Sequence, residues 1–369
     1  MKNFILCLVM SVCLHTMLLA QNQYQIEQVN VVNIGDGRLL FRSLSKNEPL
    51  QGEQRIIDGY HSAYTQANFK NGFFDGKYQE FKYNKISVEG NYKEGRKDGI
   101  FKEYYADGIT LKKETPMTDG KTNGVVKSYY ANGKIDKEKG FKDGQEHGVE
   151  KHYDWQTGEC IREHFYEKGL QQGAQKSRIS GSADYWRVEN YKNGGLHGAY
   201  TEHYMNKKPR VLGNYENGAK TGKWMYFHEN GDTIKIETYN NNMLNGLKVV
   251  FSGGKRERAY SYKNDRKNGL CVDFDTYTGK PKWETNYKDG EKEGKEKCWI
   301  TSSRNSYIET ITYKNGVKSG PYIAVYQEDK KLSIKEGTLK EKGQYENNIR
   351  VGHWILYNPD GTIKEERDE

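Results

Sequence analysis

Polar and apolar positions along this chain follow neither a helical period nor an unbroken alternation. One short pattern returns instead: an aromatic, two polar residues, Gly, three residues, Gly. It stands at Phe69…Gly72…Gly76, Tyr92…Gly95…Gly99, Phe141…Gly144…Gly148, Tyr166…Gly169…Gly173 and Tyr191…Gly194…Gly198. It continues at Tyr215…Gly218…Gly222, Tyr287…Gly290…Gly294 and Tyr313…Gly316…Gly320, and Met117 takes the aromatic position before Gly120 and Gly124. Asn242, Asp265 and Asn348 replace the first Gly ahead of Gly246, Gly269 and Gly352. The second Gly thus recurs twelve times, mostly 23–26 residues apart, as repeat architectures require.

A second turn signal falls midway through many units, as in Asp107-Gly108, Asn132-Gly133, Asn230-Gly231 and Asp360-Gly361. Two turns per unit leave two strands of about six to eight residues and no room for a helix. The expected fold is all-β: an elongated single array of about 12–13 antiparallel β-hairpin repeats forming a twisted meander sheet. Asn and Asp tolerate φ > 0 best among non-Gly residues, so the first Gly slot reads as a left-handed turn position. The second Gly has no substitute; either only Gly reaches its φ/ψ, or a neighbour packs where Cβ would be.

Aromatics also recur five places after the second Gly (Phe81, Tyr104, Tyr129, Tyr153, Phe227, Phe251, Phe274, Trp299, Tyr357). Others stand two places after it (Tyr78, Phe101, Tyr200, Trp224, Tyr322, Trp354). Slots three apart fall on opposite faces of a strand unless a bulge brings them together. Stacked along neighbouring strands, these rings make the spine of a thin core.

Composition fits that picture. Hydrophobic residues are 34% of the 369, below the ~45–50% of ordinary domains, while Gly numbers 40 and Tyr 29. Low apolar content with 29% charge would suit disorder, but 6 Pro and 13% aromatics do not. The net charge of +8 is mild, Lys and Glu alternate, and no basic cluster of the kind that holds anionic lipid appears. Residues 1–20 read as a secretory signal: Lys2 is their sole charge, Phe4 to Ala20 is nearly all apolar, and Ala20-Gln21 suits cleavage. Residues 21–68 form an N-terminal cap with one degenerate repeat, and 69–369 the array, interrupted by an insertion at 327–344. Export to the periplasm, cell surface or medium argues against nucleic acid as a partner. Cys160, Cys271 and Cys298 remain after cleavage, an odd number. Cys271 and Cys298 fall on equivalent strands of adjacent units, ~9.6 Å apart and beyond disulfide reach.

Catalytic motifs are missing: there is no Gly-x-Ser-x-Gly, His-Glu-x-x-His, P-loop or calcium loop. His147 and His197 share a turn slot that Asp, Asn, Gln and Glu fill elsewhere, two units apart, too far for one metal. Glu89, Glu114, Glu138, Glu163 and Glu284 all stand three before the aromatic position, a slot suited to a cross-strand ladder with Lys. The expectation is therefore no catalytic residue, no cofactor and no metal, with the twelve second-slot glycines as structural residues. Trp155, Trp224, Trp299 and Trp354 are the candidates for ligand contact, by stacking on a glycan; the competing reading packs them inside the array.

Tyr215-Glu-Asn-Gly-Ala-Lys-Thr-Gly-Lys-Trp-Met-Tyr-Phe227 followed by Asn230-Gly231, and the stretch Tyr345 to Gly361, resemble the bacterial variant of the MORN repeat. The resemblance implies stacked β-hairpins. Many bacterial members of that family carry a toxin–antitoxin antitoxin label, and MORN repeats elsewhere are linked to protein scaffolding and to phospholipid contact. The function expected is a non-enzymatic, exported, monomeric β-repeat scaffold presenting an extended surface to another protein. The alternative is a cell-envelope glycan- or lipid-associated binding protein.

Overall fold

The computed structural model describes residues 23–181, 184–302 and 305–369; the predicted signal segment lies outside them. Among the described residues the protein is all-β apart from one 3-10 turn, Ile26–Gln28. The strands form a long, mostly antiparallel sheet in which chain neighbours pair. By its contacts the chain divides into two units, residues 1–177 and 178–369.

The first unit begins with a separate two-stranded sheet, Val29–Asn33 against Leu39–Ser43. Its Val29 and Phe41, with Leu50, pack against Ile56, Ala67 and Phe69, closing the first hairpin of the array with apolar side chains. Gln23–Gln25 runs parallel to Gly52–Asp58, the one departure from antiparallel pairing among the described residues of this unit. From Ala63–Lys70 to Cys160–Glu167 each hairpin follows the last without a crossover, and the second unit repeats the scheme from Tyr185–Lys192 to Ile363–Asp368.

The Asn-Gly-type turns have two successive positive φ values, 50° at Asn217 and 82° at Gly218, the geometry that matches twisted antiparallel strands. Asn242, Asp265 and Asn348 hold φ of 66°, 64° and 70° in the first Gly slot. Each does more than tolerate the turn. Its side-chain oxygen accepts a hydrogen bond from a backbone N–H of the preceding unit: Lys220 at 2.8 Å, Leu244 at 2.6 Å and Lys318 at 2.8 Å. At the second Gly, φ is positive in all twelve copies, from 65° at Gly222 to 121° at Gly124. Crowding varies: an added Cβ would lie 2.9 Å from Pro116 at Gly124 and 3.1 Å from Thr238 at Gly246, but in open space at Gly222. Backbone conformation is the shared requirement; the neighbour's side chain adds to it only in some units.

The register shifts by one residue between the fourth and fifth places after the second Gly, as between Ser128 and Tyr129 or Tyr226 and Phe227. The extra residue sits on the partner strand, at Asp136 and Ile234, so the ring-bearing strand keeps its alternation. The two aromatic slots therefore lie on opposite faces, called here inner (two places after Gly) and outer (five places after).

The inner face is the core. Trp224 lies between Tyr200 and Tyr215, with centroids 5.2 Å from each, and Trp354 repeats this with Tyr322 and Tyr345 at 5.2 and 5.3 Å. Beneath three of these rings the preceding strand presents only a glycine: Gly90 faces Phe101, Gly213 faces Trp224 and Gly343 faces Trp354. Opposite Tyr78 stands the small Ala67.

Candidate functional site

Some units lack an inner ring, and there the slot holds Val126, Glu150, Gln175, Lys248, Cys271 or Glu296. Burying a polar group there requires partners. Glu150 is bonded by Lys137 at 2.5 Å and His152 at 3.2 Å, with Lys139 at 3.8 Å. Burial alone would raise its carboxyl, but those hydrogen bonds and lysine charges outweigh it and hold the group at about 2. Lys248 pairs with the buried Glu237 at 2.9 Å, and Lys235 reaches the same carboxylate at 3.0 Å. Glu296 accepts from Thr285 at 2.6 Å and Tyr313 at 3.2 Å and pairs with Lys292. The Gln175 amide bonds both backbone groups of Phe165. Each carboxylate here is consumed by its neighbours, so the inner face is a core in which charge pairs replace rings.

The four candidate tryptophans separate. Trp224 and Trp354 are 2% and 3% exposed, resting on glycines with Lys220 and Arg350 over their rings at 4.3 and 4.0 Å. They have no face to offer a ligand. Trp155 stands in a turn, 56% exposed. Trp299 lies with Phe274, Trp283 and Ile300 along an open groove of about 480 Å³ that also carries Arg258, Asp273 and Lys282. His147 and His197 fall in separate units, and among the described residues no cluster of three or more metal-ligating side chains occurs.

The outer face differs between the units in a way the repeat alone conceals. Residues three places after the second Gly, and those opposite them, form one straight row across the strands. In the first unit it reads Glu89, Lys102, Glu114, Lys127, Glu138, Lys151, Glu163, Lys176, each directly opposite the next. Lys102–Glu89 and Lys127–Glu138 approach to 3.9 and 3.7 Å. The outer rings join the ladder: Tyr104 donates to Glu89 at 2.7 Å, and Tyr129 to Glu114 and Tyr153 to Glu138 at 2.8 Å. Partial burial, then the carboxylate each hydroxyl bonds, pushes these three phenols up to about 12.

Alongside runs an apolar row at the place just after the second Gly and opposite it: Ile100, Val125, Val149 and Phe165, all exposed, with Pro116 and Gly140 half-buried between them. In the second unit the row equivalent to the charged ladder is uncharged over eight strands and apolar apart from Thr201. It reads Val188, Thr201, Leu212, Met225, Ile236, Val249, Ala259, Val272, before charge returns at Glu284 and Lys297. A single repeat thus builds one uniform inner face and two different outer ones.

No family model matches the sequence, and no curated protein matches it. Among solved structures the chain aligns with a mutant Photorhabdus luminescens Tc holotoxin pore at 10% identity and a TM-score of 0.13. The alignment covers 92% of this chain and 24% of that one, so the chain spans about a quarter of that protein's length.

Proposed function

We propose that the chain is a non-enzymatic, exported β-repeat scaffold of the MORN-variant kind that holds another protein against the outer face of its second unit. The carrying observation is the apolar row from Val188 to Val272. Its members are in register, six of them half-buried and Val249 and Val272 buried, and flanked by Phe227, Phe251 and Phe274 on one side and by Leu247 and Leu270, 48% and 46% exposed, on the other. Eight strands at ~4.8 Å spacing make the row about 34 Å long. Charge is sparse on it, although 29% of the chain is charged. Contiguous apolar surface of that extent on a soluble protein marks a docking site.

A photo-crosslinking residue at Met225 or Leu270, in the native cell envelope, tests this. A discrete protein adduct that disappears with Leu247→Lys supports the reading; adducts to lipid or glycan alone, or none, reject it. The groove of Phe274, Trp283 and Trp299 favours a second reading, a glycan stacked on its rings beside Asp273 and Arg258. That reading requires quenching of tryptophan fluorescence by envelope oligosaccharides, abolished by Trp283→Ala.

A further inference from the structure

We propose that the outer face of the first unit is self-complementary and that its occupant is a second copy of this chain. The argument rests on the order of charges. The ladder from Glu89 to Lys176 has eight members of strictly alternating sign. Stack two such faces about a two-fold axis lying between them, parallel to the strands. The order of one row is reversed, so the first member faces the eighth and the fourth faces the fifth. An alternating row with an even number of members then sets opposite charges together throughout. Glu89 meets Lys176 of the second copy at the ends, and Lys127 meets Glu138 at the centre. A two-fold axis along the row would instead set Glu on Glu, so the ladder selects one arrangement.

The neighbouring rows obey the same operation, which leaves position along the strand unchanged. Ile100 meets Phe165 and Pro116 meets Val149 of the second copy; Ile100, Val149 and Phe165 are 55%, 40% and 38% exposed. In the ring row, tyrosines alternate with smaller residues, Tyr129 standing opposite Ile135 and Tyr153 opposite Cys160. Reversal sets Tyr129 against Ile135 of the second copy, so each ring enters a gap between rings. All three rows match under one axis, as an isologous interface requires. An anionic lipid surface would favour net positive charge, whereas four Lys and four Glu cancel. The monomer expected from the repeat alone leaves this face uncovered.

These pairings are those of uncrossed sheets. Stacked sheets cross at about −30°, with the axis bisecting the two strand directions, so the row ends diverge and the pairs held in contact are the central ones, Lys127 with Glu138. Sedimentation equilibrium on the full chain, with circular dichroism to verify folding, tests the proposal. The wild type should dimerise, more weakly as salt is raised. Lys127→Glu alone and Glu138→Lys alone each create two like-charged central contacts and should weaken the dimer by about tenfold or more. An equimolar mixture of the two variants should restore it. The carboxylate introduced at position 127 of one variant then faces the ammonium introduced at position 138 of the other, and the unchanged Glu138 of the first faces the unchanged Lys127 of the second. The double variant K127E/E138K keeps its intrachain pair and should dimerise with itself but not with wild type. A wild type that stays monomeric up to about 100 µM, where a standard-size interface is populated, overturns the proposal. So do single variants that dimerise undiminished, or a mixture that fails to restore the dimer. Any of these results leaves the second unit's outer face, and the crosslinking at Met225, unaffected.

Discussion

Replacing Gly213 by Ala sets two physical effects against each other, and the sign of the result decides between them. Gly213 lies in the strand Pro209–Glu216 without a positive φ, so Ala fits its backbone. Reduced freedom of the unfolded chain then favours Ala by about 0.5–1 kcal/mol. Packing opposes it. The new Cβ would come within 2.6 Å of three ring carbons of Trp224, where carbon contacts settle at about 3.5–4.0 Å. The indole would have to retreat by about 1 Å, yet it is 2% exposed and held between Tyr200 and Tyr215. Overpacking of this kind costs about 1–3 kcal/mol. The expected net effect is a loss of about 0.5–2 kcal/mol. In a Trp224→Ala background the obstacle is gone, and the same substitution should turn neutral or stabilising by about 0.5 kcal/mol. Urea unfolding followed by circular dichroism reads the sum. Hydrogen exchange over residues 209–227 reads the local term, since repeat arrays need not unfold in one step. Gly59→Ala, in open space without positive φ, is the control. A stabilising Gly213→Ala in the wild-type background, or the same sign in both backgrounds, would refute the ring-on-glycine argument.

Other perturbations separate the remaining causes. Gly246→Ala, at φ 120° with Thr238 3.1 Å from the new Cβ, should cost more than Gly222→Ala, at φ 65° in open space; equal losses of thermal stability would show that crowding is immaterial. Glu150 has a folded-state carboxyl held at about 2, below its ordinary value near ~4.3. Its contribution is therefore fully present above the ordinary value and is lost as pH falls toward 2. Thermal melts from pH 6 to pH 2 should show a shallower acid decline in Glu150→Gln, and parallel profiles would count against the pairing. Among the thiols, Cys271 is fully buried and raised by that burial, while burial and then the charges of Glu296 and Glu309 push Cys298 up to about 11. Cys160 should therefore react first with a thiol reagent at pH 8, and all three should titrate as free groups after denaturation; Cys298 reacting first would contradict its environment.

Much of the fold can be read from one residue pair. Gly in the second slot and Asn, Asp or Gly in the first specify the backbone of the turn, and the turn specifies strand length and pairing. What Asn242, Asp265 and Asn348 add was not legible, because tolerance of positive φ already explained them; their bonds to the preceding unit exist only once turns stack. The face occupied by each ring was ambiguous for a similar reason. A register shift occurs in most units, but the strand that absorbs it decides the outcome, and Asp136 or Ile234 does not look like a bulge residue in isolation. The tryptophans show the limit most plainly. Trp224 and Trp299 occupy different slots, but nothing along the chain says which slot is buried: one rests on Gly213 and the other lines an open groove. The clue to Trp224 was Gly213, a glycine outside both turn slots.

The contrast between the faces locates the variable part of the molecule. The inner face must be filled in every unit, so each substitution there is answered by a neighbour: Gly opposite Trp, Lys opposite Glu, a backbone-bonded Gln where neither stands. The outer face bears no such duty. Thr, Ala and Val would serve as strand formers at any of its positions, and a solvated sheet would tolerate Lys and Glu in any order. Yet eight consecutive strands carry perfect sign alternation in one unit, and eight carry an apolar row at the same register in the other. Cross-strand pairing explains why unlike charges are neighbours within the first row. It does not explain why the second row, built on the same turns and the same strands, omits charge altogether. Intrachain stability is satisfied by either pattern. The difference between them is therefore to be sought in what each face meets, and the two faces should be separable by mutation: Leu247→Lys acting on one, Lys127→Glu on the other, with neither disturbing the inner packing of its own unit.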